Sequence, residues 1–256
     1  MAMNDDAAAV AIASFLEVGV YFYLAWRLAR RNVSPDARVP AMQFSIFWAG
    51  LGGSAILSGI LSLIATFRLP PFDLVLSFLY LEVLLISAAL WGLICYLVYL
   101  YSGRDRIVPI SAMYAVMYGL LIYYITAGRA DGVTVTLGSV TPTYSVTVAG
   151  PLAIAAVLLL VLPELVAPLA YFRLFFRAQD RTVRYRIAVV SWGLIAYFLA
   201  DFFAVGSRVG HGLVGVAIGQ LVIILAALVV LFAYYPPRAI RERFGISAIA
   251  EAPTPE

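Results

Sequence analysis

Four carboxylates interrupt runs of the chain that are otherwise apolar: Glu17, Glu82, Glu164 and Asp201. A charged side chain at mid-membrane depth costs on the order of 3 kcal/mol, so each one needs a physical reason. It either binds a proton, a cation or a ligand, or makes a structural hydrogen bond. Counted at 1.5 Å per residue from the outer ends of the predicted spans, Glu17 and Glu82 lie roughly 15 Å deep, Glu164 about 20 Å deep, and Asp201 within roughly 8 Å of the surface.

Three further polar residues occupy the same half of the predicted bundle. Gln220 is about 15 Å below the outer start of the last span, while Arg208 and His211 stand at its mouth. If the helices face one another, these groups converge on a polar pocket open to the outside, where a helical bundle commonly holds a ligand. The sequence therefore predicts a ligand-binding or proton site formed by Glu17, Glu82, Glu164, Asp201, Gln220 and Arg208.

A purely structural role is the alternative for each carboxylate. Glu17 and Tyr21, like Asp201 and Tyr197, are four residues apart on one helical face, so each acid either accepts a tyrosine hydroxyl or is protonated. Asp201 and Arg208 are two turns apart and are placed to form an ion pair at the outer rim. The other two carboxylates have no obvious partner on their own helix, which leaves both roles open for them.

The stretch "VLPELVAP" predicts an irregular helix around Glu164. Pro163 and Pro168 each remove a helical hydrogen bond and bend the span. A freed carbonyl at membrane depth needs another group or a water to satisfy it. We therefore expect Glu164 to face the bundle interior at a bend, and a bend that serves only close packing is the alternative.

Several chemistries are excluded by residue counts. His211 is the only histidine and Cys95 the only cysteine, which rules out a bis-histidine haem, a multi-histidine metal site and an intrachain disulfide within this chain. No nucleophile motif, Walker loop or glycine-rich nucleotide fingerprint is found. The sequence predicts neither an enzyme nor a bound cofactor or metal.

The composition places these residues in a membrane. Of 256 residues, 64% are hydrophobic and 12% charged, and the mean hydropathy is +0.97, whereas about a quarter of the residues of a soluble domain are charged. The apolar blocks are long enough to cross a hydrocarbon core of roughly 30 Å. The sequence thus predicts an all-α integral membrane protein, a seven-transmembrane helix bundle over residues 1–238. The predicted spans are 7–29, 40–67, 72–101, 107–127, 150–176, 185–206 and 211–235.

Arginine predicts the orientation, because all 17 basic residues are arginines. Fourteen of them fall in one set of connections and three in the other, and basic segments near span ends stay in the cytoplasm. The inner set is Arg27, Arg30, Arg31, Arg38, Arg104, Arg106, Arg173, Arg177, Arg181, Arg184, Arg186, Arg238, Arg241 and Arg243. We expect a multi-pass protein of the cell membrane with its N-terminus outside and its C-terminus in the cytoplasm.

Two connecting segments have a structure of their own. Between spans four and five, "GVTVTLGSVTPTYSVTVAG" alternates polar and apolar residues twice, which predicts an extracellular β-hairpin at about 132–148 that serves as a cap or as a lid. After the last span, "YYPPRAIRERFGI" predicts a helix stop and an amphipathic turn on the inner membrane surface. Residues 239–256 are predicted to form a cytoplasmic tail that is partly disordered.

Small and aromatic residues predict how the spans pack. Gly50, Gly52, Gly53 and Gly59 give the second span a surface for close helix approach. Tyrosines at the predicted inner ends of the spans suit an interfacial aromatic belt. These belt residues are Tyr99, Tyr101, Tyr234 and Tyr235.

Two segments carry a resemblance to a known class of proteins: "YFRLFFRAQDRTVRYRI" between spans five and six, and "YYPPRAIRERFGI" after span seven. With the seven-span pattern, they resemble the seven-helix sensory regions of some bacterial and archaeal histidine kinases and diguanylate cyclases, and stand-alone prokaryotic proteins of similar pattern. The resemblance implies a sensory bundle, and it carries over no functional residue. A retinal photoreceptor of the microbial rhodopsin type is excluded, because the last span has no lysine.

Three functions are compatible with these features. The favoured one is a receptor-like protein that senses a small ligand from the outer side or within the membrane and signals through its Arg-rich inner loops to a cytoplasmic or membrane partner. A proton- or cation-coupled transporter that uses Glu82 or Glu164 is the first alternative. A non-catalytic subunit of a larger membrane complex is the second. The expected partners are the lipid bilayer, an unknown small ligand and a cytoplasmic or membrane protein, and no nucleic-acid partner is predicted.

Overall fold

The protein folds into a bundle of long helices in a computed structural model. The structure describes residues 5–30, 35–103, 106–126, 133–137, 144–148, 150–210 and 213–246. Within these ranges it describes the backbone alone at 5–6, 35–37, 133–137, 144–148, 152, 201–210 and 213–218. The side chains of Asp201 and Arg208 and all of His211 therefore lie outside the described part, and their predicted roles stay predictions.

The helices are continuous across most of the apolar runs. They are α1 (Asp5–Ala29), α2 (Pro35–Phe67), α3 (Phe72–Ser102), α4 (Ile107–Thr126), α5 (Gly150–Ala156), α6 (Leu162–Arg177), α7 (Arg181–Gly210), α8 (Leu213–Tyr234) and α9 (Arg238–Phe244). A π-helical turn, Val157–Val161, joins α5 to α6, so these three pieces form one rod. Two short strands, β1 (Val133–Leu137) and β2 (Tyr144–Val148), follow α4.

Six helical segments of the described chain are long and apolar enough to cross a membrane. The number is seven if the bent pair Gly219–Tyr234 and Arg238–Phe244 counts as one span. Large apolar side chains are exposed along these helices, as lipid-facing surfaces require. Examples are Ile12, Leu63, Leu120, Leu169 and Leu225. The prediction of an all-helical membrane bundle is confirmed. The count of seven spans and the orientation stay predictions.

The helices close into a ring. Helix α1 packs against α2 and α8, α2 against α3, α3 against α4 and α6, α6 against α7, and α7 against α8. Because α4 also contacts α5, each long helical unit contacts the next one along the chain, and α8 contacts α1. Polar side chains on the inner faces of neighbouring helices are therefore placed to meet.

Glycines set the closest helix contacts. A Cβ on Gly50 would lie 2.7 Å from the carbonyl oxygen of Leu85, and one on Gly92 would lie 2.6 Å from the carbonyl oxygen of Gln43. Real Cβ atoms do not approach backbone oxygens so closely, so α2 and α3 pack at a separation that only glycine permits at these positions. The predicted packing role of the glycines in α2 is confirmed.

The predicted helix stop after the last long helix is also confirmed. Helix α8 ends at Tyr234, two residues before the first of the prolines Pro236 and Pro237, and α9 leaves at an angle of 58° to it. Gly245 ends α9 with a left-handed φ of 62°, and its Cα region lies beside the guanidinium of Arg181. The chain after α8 thus folds back toward the start of α7.

The two strands pair antiparallel, with Val133 opposite Val148 and Leu137 opposite Tyr144. This register agrees with the alternating pattern of the sequence, since both strands have valine and threonine in alternation. The turn that joins them lies outside the described residues. The outer location of the pair and its role as cap or lid stay predictions.

Candidate functional site

A buried polar contact joins the first and last long helices. Ser14 is fully buried, Gln220 is 3% exposed, and the Nε2 group of Gln220 donates a hydrogen bond of 3.4 Å to Ser14 Oγ. Glu17 is one turn further along α1 and is 8% exposed. A carboxylate and an amide buried at one helix contact are costly without hydrogen bonds, so this contact is a specific polar layer within an apolar bundle.

Glu82 has its partner on a neighbouring helix. Ser54 Oγ donates a hydrogen bond of 3.0 Å to Glu82 Oε1, across the contact between α2 and α3. Ser54 belongs to the glycine-rich part of α2, where Leu85 also packs against Gly53. The small side chains bring the backbones close enough for a short serine hydroxyl to reach a carboxylate of the next helix.

Glu164 lies next to an irregular part of the fifth rod, as "VLPELVAP" predicts. The π-helical turn ends two residues before Pro163, where the N–H of Leu162 donates to the carbonyl of Val157 rather than that of Leu158. Pro163 has no N–H to offer the carbonyl of Leu159, and the hydroxyl of Tyr118 on α4 donates a 2.6 Å hydrogen bond to that oxygen.

The half-buried Glu164 also interacts electrostatically with Tyr118. Glu164 thus follows a helix irregularity whose freed carbonyl accepts a hydrogen bond from Tyr118, and the half-buried carboxyl group lies close to that tyrosine.

The three buried or half-buried carboxylates have different described surroundings. Glu17 is one turn from Ser14, which contacts α8, Glu82 accepts a hydrogen bond from Ser54 of α2, and Glu164 is close to Tyr118 of α4. Glu17 and Glu82 are nevertheless at similar depth: Phe15 and Phe22 of α1 face Gly59 and Gly52 of α2. This register puts Glu17 level with residue 57 and about 4.5 Å along the axis from Ser54, which binds Glu82. Convergence of all the predicted groups on one pocket stays a prediction.

A cavity formed by described residues lies at the other end of the bundle. Its volume is about 380 Å³, within the range of roughly 300–1,000 Å³ typical of small-molecule sites. The ends of α3, α6, α7 and α8 form it, all close to the Arg-rich connections. The lining residues are Tyr96, Leu100, Tyr171, Leu174, Arg177, Ala178, Val183, Arg186, Ile187, Val190 and Tyr234. This cavity therefore does not coincide with the pocket predicted at the outer end of the bundle.

Tyrosine hydroxyls form the floor of the cavity. The hydroxyls of Tyr96 and Tyr234 are 3.4 Å apart, and the buried hydroxyl of Tyr171 lies beside that of Tyr96 without normal hydrogen-bond geometry. Arg177 is exposed at the rim, and Arg186 is half-buried one helix away. Arg177 and Tyr171, which both line the cavity, are about 9 Å apart along the axis of α6.

Above the floor the bundle is closed by a layer of aromatic side chains. Phe44 stacks on Tyr96 at 4.7 Å and also packs against Tyr234, and Phe44, Phe47 and Trp48 are at most 1% exposed. Trp48 continues the layer to Tyr21 and Tyr197. This aromatic layer separates the cavity from the Ser14–Gln220 contact in the described part of the bundle.

Two of the predicted belt tyrosines have other roles. Tyr234 is 5% exposed and belongs to the cavity floor, so its assignment to the lipid interface was wrong. Tyr235 is half-buried, donates a hydrogen bond to the carbonyl of Arg27, and receives the guanidinium of Arg27 over its ring at 4.1 Å. It fastens the end of α8 to the end of α1 at the Arg-rich side.

The described residues include no cluster of three or more His, Cys, Asp or Glu side chains suited to a metal ion. The cavity offers guanidinium groups, tyrosine hydroxyls and apolar walls to a ligand. No protein-family model matches the chain, and no curated protein is significantly similar to it in sequence.

Proposed function

We propose that the protein is a receptor-like, seven-span membrane protein that binds a small ligand in the cavity at its Arg-rich end and signals to a cytoplasmic or membrane partner. In this proposal the N-terminus is outside, the Arg-rich end is cytoplasmic, and α8 completes the seventh span. The ligand arrives from the cytoplasm or from the inner leaflet, which replaces the outer entry expected from the carboxylates.

The observation that carries the proposal is a cavity with a closed floor. The site of a carrier lies near the membrane centre, whereas this cavity lies at the Arg-rich end and stops at the aromatic layer of Phe44, Phe47 and Trp48. These three side chains are at most 1% exposed and pack between the cavity and the Ser14–Gln220 contact in the described part of the bundle. A site that opens to one end favours binding and release on the same side.

The position of the cavity also favours signalling. Its rim is formed by the end of α6 and the start of α7, which the short connection 178–180 joins. Two consecutive helices that touch one ligand shift together when the site fills, and their connection is on the side where the arginines place the cytoplasm. The arginines of this connection supply a basic surface for an acidic partner.

The test combines ligand screening with a blocked cavity. Val183, at the rim and 43% exposed, is replaced in Val183→Trp to fill the entrance, and Leu199→Trp places the same bulk on the exposed face of the same helix as the control. A small-molecule library is screened by thermal shift on protein in nanodiscs, and compounds that bind are then tested for flux in proteoliposomes.

The proposal expects compounds that stabilise the wild type and Leu199→Trp but not Val183→Trp, and that do not cross the membrane. Binding that is insensitive to the blocked entrance contradicts the receptor site. Net flux of a bound compound contradicts the receptor function and supports the transporter. A library without any compound that depends on the cavity supports the role as a non-catalytic subunit.

A further inference from the structure

The charges around the cavity are of one sign. Arg177 and Arg186 contribute guanidinium groups to the lining, and no acidic side chain is among the described residues that line it. Two described carboxylates are close in the chain to this end but do not line the cavity. Asp180 Oδ1 accepts the N–H of Val183 at 2.8 Å and caps α7, and Glu242 Oε1 pairs with Arg238 Nε at 2.7 Å. Among the described residues, the charged groups that line the cavity are thus guanidinium groups.

The rest of the lining is apolar and aromatic. Leu100, Leu174, Ile187 and Val190 form the walls between the arginines and the tyrosine floor. A fully hydrated inorganic ion would leave these walls without contacts, whereas an apolar body attached to an anionic group would bury them. The tyrosine hydroxyls at the floor add hydrogen-bonding groups for an oxygen at the far end of the ligand.

The cavity lies at the ends of segments that are apolar enough to cross a membrane. The fifth such segment ends at Arg177 and the sixth begins at Arg181, and in a membrane such segment ends lie near the lipid headgroups. Arginine binds phosphate and carboxylate through two parallel hydrogen bonds, and such bonds are stronger in a partly dry site.

From this arrangement we propose that the cavity binds an anionic amphiphile, with a phosphate or carboxylate headgroup between Arg177 and Arg186 and an apolar body against the walls. The inference rests on the proposed function for the location of the site and adds the class of ligand. An anionic lipid of the inner leaflet and a soluble organic phosphate share this chemistry. The experiment below separates the two sources.

The probes are chosen to vary the charge at constant apolar body. Hexyl phosphate, hexanol and hexyltrimethylammonium are compared with inorganic phosphate alone, by thermal shift and equilibrium binding to protein in phosphatidylcholine nanodiscs. A second arm replaces part of the phosphatidylcholine with phosphatidic acid and counts bound lipid by native mass spectrometry. Binding in the first arm identifies a site open to water, and binding only in the second identifies a lipid site.

The variants remove one guanidinium at a time. Arg177→Gln and Arg186→Gln are compared with Arg173→Gln, an exposed arginine one turn earlier on α6 that does not line the cavity. Each lost charge-assisted contact is expected to weaken binding of the anionic probe roughly ten- to a hundredfold. Arg177→Lys keeps the charge but not the two parallel hydrogen bonds, so its affinity for the anionic probe is expected to lie between those of the wild type and Arg177→Gln. Because Arg177 is exposed, its variants should fold normally, which circular dichroism and gel filtration check.

The expected result is binding of hexyl phosphate or phosphatidic acid by the wild type and Arg173→Gln, weaker with rising salt, and weakened in both cavity variants. Equal binding of hexanol, or no difference between Arg177→Gln and Arg173→Gln, would overturn the proposal. If a neutral compound binds and Val183→Trp abolishes it, the ligand class is wrong and the receptor site stands. If the anionic probe binds and also crosses the membrane, the ligand class stands and the receptor function fails.

Discussion

The hydrogen bond from Tyr118 to the carbonyl of Leu159 makes a quantitative prediction about the irregular rod. Tyr118→Phe removes only the hydroxyl, and Tyr118 is 3% exposed while Leu159 is 5% exposed, so no water replaces it. A stranded buried acceptor costs about 1–3 kcal/mol, and hydrogen bonds between membrane helices contribute about 0.6 kcal/mol on average and up to about 1.7. We expect the free energy of unfolding to fall by about 1–2 kcal/mol.

A second substitution tests the reason for this cost. Pro163 denies the carbonyl of Leu159 its α-helical donor, and Pro163→Ala returns an N–H at that position. In the Pro163→Ala background, Tyr118→Phe should therefore cost less, with a coupling energy of about 1 kcal/mol in a double-mutant cycle. The sign of this coupling energy is decisive, because Tyr118 and Pro163 both determine whether the carbonyl oxygen of Leu159 has a donor.

The assay is reversible unfolding in mixed micelles, followed by tryptophan fluorescence and circular dichroism. Tyr123→Phe serves as the control, because Tyr123 is on the same helix with 52% of its surface exposed, and its loss should change stability by less than about 0.5 kcal/mol. Two results would refute the role of the Tyr118 hydrogen bond to the carbonyl of Leu159. One is an equal cost of Tyr118→Phe in both backgrounds, and the other is a cost no larger than that of Tyr123→Phe.

Three other substitutions or modifications test the packing. Gly92→Ala should destabilise the protein by about 1–3 kcal/mol in the same unfolding assay, because its Cβ meets a backbone oxygen at 2.6 Å, whereas Gly119→Ala has open space and should be neutral or stabilising. Ser54→Ala should cost about 1 kcal/mol in the wild type but much less in a Glu82→Leu background, and additive costs would contradict the pair. Cys95 is fully buried and should react with a maleimide only after denaturation, as mass spectrometry would show.

Features that depend on one helix could be predicted from the sequence. The apolar runs are long enough to form spans and leave no alternative to helix in lipid, because every backbone group must find a partner within its own segment. The irregularity at "VLPELVAP" follows from the missing proline N–H, and the stop after Tyr234 from the two prolines. These are local consequences of covalent structure, so they need no knowledge of the neighbouring helices.

The sequence predicted a close-packing surface on α2, but it could not predict which residues pair across two helices. Ser54 and Glu82 are 28 residues apart, and Tyr118 and Leu159 are 41 apart, so no helical periodicity relates the members of either pair. The cavity gathers the ends of four helices, and its arginines carry the same sequence signal as arginines that only set topology. The clue in the sequence was the position of Tyr96, Tyr171 and Tyr234, each close to the inner end of a different predicted span.

Helix α6 runs from the π-helical turn to the cavity. Its first residues follow the π-helical turn and include Pro163, and its last turns carry Tyr171, Leu174 and Arg177 of the cavity. A π-helical turn beside a proline has fewer α-helical hydrogen bonds to hold its direction, so the rod can change its angle there at low cost. A ligand that draws Arg177 toward Arg186 would tilt α6, whose other end lies about 20 Å away at this turn. Weakening the turn by Tyr118→Phe should therefore change the affinity for a cavity ligand without altering any residue that contacts it.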